Sequence, residues 1–166
     1  TVWRRDTLCF QIQNIIEQTV LKQRSVALII FQNGNHVNVD NIVHYWENIC
    51  KSKNIKLIYI HSIIESGYFG RFLAPLTVET CTNSYFFIND DDIMFGSRYY
   101  ENMIRVVDDG YLCTQNGRVI NFRSNWRGKN KLYYQNHLIK SKDPVVFEND
   151  LICDFGGHVW AGKMEW

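Results

Sequence analysis

Four short apolar runs alternate with stretches of helical periodicity, and that alternation restricts the chain to a layered α/β fold. The runs cover residues 26–31, 56–60, 84–88 and 111–114, and each gives way to polar or glycine-bearing sequence. Apolar runs of this length read as buried strands. Between them the spacing changes. Leu8, Ile12, Ile15 and Ile16 fall on one helical face behind Asp6 or Thr7, either of which can cap the helix. Ile42, Val43, Trp46, Ile49 and Cys50 do the same behind Asp40. A third helix is predicted over residues 71–80, with Pro75 in its first turn or kinking it. A fourth follows with Tyr100, Met103, Ile104 and Val107 on one side.

This order predicts βαβ units, hence a single α/β domain over residues 1–166 with a mostly parallel central sheet flanked by helices. Only the stub at residues 1–3 precedes the first helix, so the opening strand is expected to be truncated. The chain does not begin with Met and reads as a fragment. Its 166 residues suit one domain with a real core. A net charge of +1 gives no general case for nucleic acid or a membrane surface as partner. No apolar run approaches the roughly 20 residues that span a bilayer. Cys9, Cys50, Cys81, Cys113 and Cys153 form no C-x-x-C pair, which argues against structural zinc or a disulfide framework. Buried reduced thiols are expected, and with them an intracellular, cytoplasmic setting.

The chemistry concentrates at Ser84-Tyr-Phe-Phe-Ile-Asn-Asp-Asp-Asp-Ile93, where a buried strand runs directly into three carboxylates. In open α/β sheets ligands bind beyond the carboxyl ends of strands. Adjacent carboxylates repel, and a bound hard cation such as Mg²⁺ or Mn²⁺ offsets that cost while sharing its shell with substrate phosphates. A solvated turn or an acidic helix cap is the plainer use of the same residues. Residues 111–142 contain no acid but carry Arg118, Arg123, Arg127, Lys129, Lys131, Lys140 and Lys142. They read as a solvated loop or as a basic flap beside a phosphate-bearing ligand. Trp126, Tyr133 and Tyr134 in it are candidates to stack on a sugar.

The ordered set of motifs resembles GT-A-fold glycosyltransferases, closest in pattern to family 2 and its relatives. The matching pieces are Thr1-Val-Trp-Arg-Arg-Asp6, Gln18-Thr19, Ile29-Ile-Phe-Gln-Asn-Gly-Asn35, Ser66-Gly-Tyr-Phe-Gly-Arg-Phe72, Asn89-Asp-Asp-Asp-Ile93, Gly110-Tyr-Leu-Cys-Thr-Gln-Asn-Gly117 and Asp154-Phe-Gly-Gly-His-Val-Trp160. The resemblance covers nearly the whole chain. It implies a nucleotide-binding part at about 1–93 and an acceptor-side part at about 94–166. It also implies transfer of a sugar from a UDP- or GDP-sugar to the hydroxyl of a glycan or similar acceptor, with Mn²⁺ or Mg²⁺.

By that resemblance Asp92 holds the metal, aided by Asp90 and His158. Asp90 and Asp91 face the donor, and Arg71 contacts its diphosphate or sugar. Trp3 and Arg4 lie near base and ribose, with Gln32 and Asn33 at the neighbouring strand end. Relatives place an acid near that position to read uracil, and its absence here leaves the base open. Asp154 is the leading candidate for the base that activates the acceptor hydroxyl, ahead of Glu148 and Asp150. His36, His44, His61 and His137 belong to no cluster, and Trp46 is expected in the core.

Two rivals stay in view. A sugar nucleotidyltransferase also uses aspartates and a metal, but its glycine-rich basic N-terminal signature is missing from residues 1–7. A degenerate domain would bind nucleotide or glycan without turnover. The run Gly157-His-Val-Trp-Ala-Gly-Lys-Met164 imitates a phosphate loop, but Met164 offers no hydroxyl and no helix can follow.

Overall fold

The computed structural model describes residues 1–4, 7–78, 81–118 and 155–165, with the backbone alone at 115–118 and 155–158. Among these residues four α-helices and five strands are formed in a mixed α/β arrangement. Helix α1 spans Leu8–Ile16 and is followed by a 3-10 turn at Thr19–Gln23. Strand β1 (Val26–Asn33) connects through α2 (Asp40–Ser52) to β2 (Ile55–Ser62). The two strands pair in parallel, from Val26 opposite Ile55 to Asn33 opposite Ser62. This is the predicted βαβ unit. Trp46 and Cys50 are buried on the sheet side of α2, as their spacing requires.

Helix α3 (Gly70–Val78) leads to β3 (Tyr85–Asn89), and α4 (Tyr99–Asp108) leads to β4 (Cys113–Arg118). Tyr100, Met103, Ile104 and Val107 are the buried residues of α4, the same four that the pattern selects. The expected parallel sheet does not continue here. Strand β5 (Phe155–Lys163) lies between β3 and β4 and runs antiparallel to both. A returning strand inserted between two others reverses the local pairing, so among the described residues parallel pairing is confined to β1, β2 and the bridge at Val2. The phosphate-loop lookalike falls in β5 and the turn after it, in agreement with its rejection.

Residues 1–3 tie the two sheets together. The Val2 N–H donates to the Phe31 carbonyl (2.8 Å), and the Asn33 N–H donates to the Val2 carbonyl (2.9 Å). The Thr1 amine donates to the Asn89 carbonyl at 2.8 Å. Val2 is fully buried with Leu8, Ile12 and Ile30 in the larger core cluster. A second cluster joins Met103 and Val107 to Val159 and Ala161 of β5.

Three local expectations need correction. Asp40 is the first helical residue of α2 rather than its cap; Val39 holds that position, and the Asn38 carboxamide oxygen accepts the Asp40 N–H at 3.0 Å. Pro75 lies inside α3, where it cannot donate to the Arg71 carbonyl one turn earlier. Of the cysteines, Cys50 is buried, but Cys9 and Cys81 are exposed. Burial pushes the Cys50 thiol up. Among the described residues no helix is long and apolar enough to cross a membrane.

Candidate functional site

Thr7, Gln11, Asn14 and Gln18 follow one another at intervals of four, three and four, which places them on one face of α1 and its continuation. All four spend their side chains on the backbone of residues 90–96. The Thr7 hydroxyl donates to the Asp91 carbonyl instead of capping its own helix. The Gln11 amide donates to the carbonyls of Asp90 and Ile93. Asn14 binds Phe95 twice, donating to its carbonyl (2.7 Å) and accepting its N–H (3.0 Å). Gln18 donates to the Gly96 carbonyl (2.9 Å) and accepts the Tyr100 N–H (3.2 Å). Arg98, at the N-cap of α4, contributes no side-chain cap, so Gln18 supplies one from a distance. Gln11 and Gln18 are buried polar groups, so these bonds carry weight that exposed ones would not.

The clamp fixes the turn that carries the aspartates, and the three side chains diverge from it. Asp90 forms an ion pair with Arg71, both largely buried at 18% and 13% exposure. Asp91 is half-buried, and its Oδ2 accepts the Trp3 backbone N–H at 3.2 Å. Asp92 is exposed. No group of three or more His, Cys, Asp or Glu side chains converges to hold a metal among the described residues. A Mg²⁺-like ion needs only one or two carboxylates when phosphates and water complete its shell, and exposed Asp92 fits that role. The register of β5 sets Val159 opposite Asn89, so His158 is the next residue along that strand toward the aspartates.

Arg71 is placed by a second relay that starts at the end of β1. The Asn33 Oδ1 accepts the Ser66 N–H (2.8 Å) and hydroxyl (2.9 Å), and its amide donates to the Gly67 carbonyl (3.0 Å). This pins the turn before α3. Gly70 then packs so closely that a β-carbon there would lie 2.5 Å from the Ser66 Cβ. The guanidinium of Arg71 sits 4.4 Å from the Tyr68 ring. Burial pulls Arg71 below the ordinary arginine range, while Tyr68 and Asp91 oppose that shift.

The remaining residues of the expected site divide. Gln32 is buried and its carboxamide is occupied within the protein: it donates to the Gly34 and Val37 carbonyls and accepts the Tyr59 hydroxyl at 2.5 Å. Gln32 and Asn33 therefore shape the strand end, and their side chains are turned on neighbouring turns. Trp3 and Arg4 are exposed, with the guanidinium 4.0 Å from the centroid of the indole. Glu65 and His36 join them without having been expected there. The Glu65 Oε1 accepts the Trp3 indole N–H (3.3 Å) and pairs with His36, whose ring meets Trp3 edge-on at 6.0 Å. The bonds from His36 and then Trp3 hold the Glu65 carboxyl below its usual range. Asp154, Glu148 and Asp150 lie outside the described residues, as does the basic segment beyond Arg118 with Trp126, Tyr133, Tyr134 and His137.

The arrangement thus offers an exposed carboxylate at a strand end, an arginine beside it, and an exposed indole framed by Arg4, His36 and Glu65. No protein-family profile, curated protein or solved structure matches the chain.

Proposed function

We propose that the chain is the nucleotide-sugar-binding domain of a metal-dependent GT-A glycosyltransferase, moving a sugar from a UDP- or GDP-sugar to an acceptor hydroxyl. The observation that carries this reading is the meeting of Asp90 with Arg71 and of Asp91 with the Trp3 backbone beyond the carboxyl ends of β1 and β3, with exposed Asp92 next in the same turn. Cleavage of a sugar–phosphate bond leaves a diphosphate with new negative charge, and fixed positive groups beside it stabilise that charge as it develops. Arg71 is positioned for this by Asn33 and Asp90. A divalent ion on Asp92, when bound, would supply further neutralisation of the diphosphate. The exposed Trp3 ring is suited to stack on a base, and Glu65 holds the indole in place. Asp154 is proposed as the base that takes the proton of the acceptor hydroxyl.

The test is isothermal titration of UDP and GDP, with and without Mn²⁺, on wild type and Asp92→Ala. Binding that needs both the ion and Asp92 is expected, and the preferred nucleotide names the base. A folded sample that binds neither nucleotide would remove the proposal.

A second reading, a degenerate domain that binds without transfer, draws on one observation: Asp90 is engaged by Arg71. Nucleotide binding indifferent to Mn²⁺, with no turnover of any donor, would favour it.

A further inference from the structure

Helix α3 reverses the usual arrangement of an amphipathic helix, with its small residues inside and its large ones outside. Gly70 and Ala74 are its buried residues. Phe69, just before the helix, and Leu73 and Leu76 within it fall on one stripe and are 77%, 61% and 61% exposed. Rolling the helix to bury them would break its seating on the sheet. A β-carbon on Gly70 would lie 3.2 Å from the Phe31 ring, so the helix rests on β1 through its smallest residue. The turn before it is pinned by Asn33, and Arg71 is tied to Asp90. Phe72 turns aside to Trp160 of β5, with ring centroids 5.6 Å apart. Ile63 and Ile64, 74% and 80% exposed, and Tyr68 at 46% extend the apolar surface through the turn that feeds the helix.

We infer that this surface is a homodimer interface, in which α3 packs against α3 of a second copy across a two-fold axis. The area is that of an interface. Residues of this size carry about 200 Å² each, so at these exposures the six together present about 800 Å². That exceeds the largest apolar patch usual on a monomer, about 300–600 Å², and matches the share of each partner in a stable interface, about 800 Å². The charge pattern suits a second copy. From Ile63 to Val78 the charged residues are Glu65 and Arg71. Each is engaged within its own chain, Glu65 by His36 and the Trp3 indole, Arg71 by Asp90. Such a face meets its own copy without like-charge repulsion, as an isologous contact requires. A membrane surface is the poorer occupant, because an interfacial helix draws on lysine and arginine beside its apolar face. This segment has no lysine, and its arginine is paired. The spacing of Phe69, Leu73 and Leu76 is also the one by which two helices interlock their ridges. The inference is independent of the proposed sugar transfer.

The test is sedimentation equilibrium of the wild type, Leu73→Glu, Leu73→Lys and Phe10→Glu at about 1 to 100 μM. Leu73 is the middle residue of the stripe, where like charges brought face to face oppose pairing, whereas Phe10 is an exposed ring on α1. The wild type is expected to dimerise with a Kd at or below about 10 μM. Each Leu73 variant alone is expected to dimerise at least about 100-fold more weakly, with Phe10→Glu matching the wild type. Mixing Leu73→Glu with Leu73→Lys is expected to restore the dimer, which misfolded variants would not do. A wild type that stays monomeric at about 100 μM, a dimer that Leu73→Glu leaves intact, or a Glu/Lys mixture that stays monomeric would overturn the inference. A dimer lost equally in Phe10→Glu would do so too, because the contact would then not run through α3. So would a monomer that co-sediments with vesicles of equimolar phosphatidylcholine and phosphatidylserine, because a lipid surface would then be the occupant.

Discussion

Replacing Gln18 with Met keeps the length and removes the hydrogen bonds, which isolates what the clamp on residues 90–100 is worth. Gln18 is 1% exposed, and its side chain serves the Gly96 carbonyl and the Tyr100 N–H. Gly96 is exposed and its carbonyl can recruit water, so its loss costs about 0.5–1.5 kcal/mol. Tyr100 is 4% exposed, and an N–H abandoned there costs about 1–3 kcal/mol. The sum is about 1.5–4.5 kcal/mol, or roughly 3–18 °C in Tm for a domain of this length. Urea and thermal unfolding of Gln18→Met against Gln13→Met provide the assay, because Gln13 is exposed and, among the described residues, its side chain bonds only to Glu17. A difference under about 0.5 kcal/mol between the two variants would refute the idea that Gln18 caps α4.

Asp90→Ala strands the Arg71 charge, and it is expected to cost about 1–3 kcal/mol, less than a fully buried pair because both side chains keep some solvent. A double-mutant cycle with Arg71→Met checks it: the double variant should regain at least half the loss. Gly70→Ala forces a β-carbon against Ser66 and should cost about 1–3 kcal/mol by urea titration, with weakened nucleotide binding through Arg71. Burial pushes the Tyr99 and Tyr100 hydroxyls well up, so the folded state keeps both protons after the unfolded state releases them near pH 10. Stability should therefore hold below that pH and fall above it, by about 1.4 kcal/mol per unit for each ring, and Tyr100→Phe should lessen the slope by about that much in urea titrations at pH 10–11.5.

The elements that bury apolar side chains were legible in the residues themselves. Three strands and four helices follow from runs and spacing, and the buried face of α4 is the one its pattern selects, whereas the run at 111–114 meets β4 only at Cys113 and Thr114 and leaves Tyr111 and Leu112 exposed. What escaped was set by pairing between distant segments. Strand β5 carries two glycines at 156 and 157 and lacks a continuous apolar run, so only its position between β3 and β4 makes it a strand. The aspartate turn was legible as a site, whereas the partners of its side chains were not. Gln11 lies far from it in sequence and reaches its backbone only through the fold, as Glu65 and His36 reach the Trp3 ring. One signal was available: polar residues at 7, 11, 14 and 18 form a stripe beside the apolar face of α1, too regular for a solvent-facing surface. Asp40 was misplaced by one residue because an Asx side chain two positions earlier performs the capping.

The side chains of α1 and its flanks grip carbonyls and N–H groups, which every amino acid but proline offers in full, and leave the identities along residues 90–96 unread. Shape and chemistry at this turn are therefore inherited separately. A lineage built on this scaffold can exchange an aspartate for another residue and keep the loop in place. Except at Asp90, whose pairing with Arg71 serves both, selection on the reaction and selection on folding act on different residues, and the turn can change what it does without first learning again how to stand.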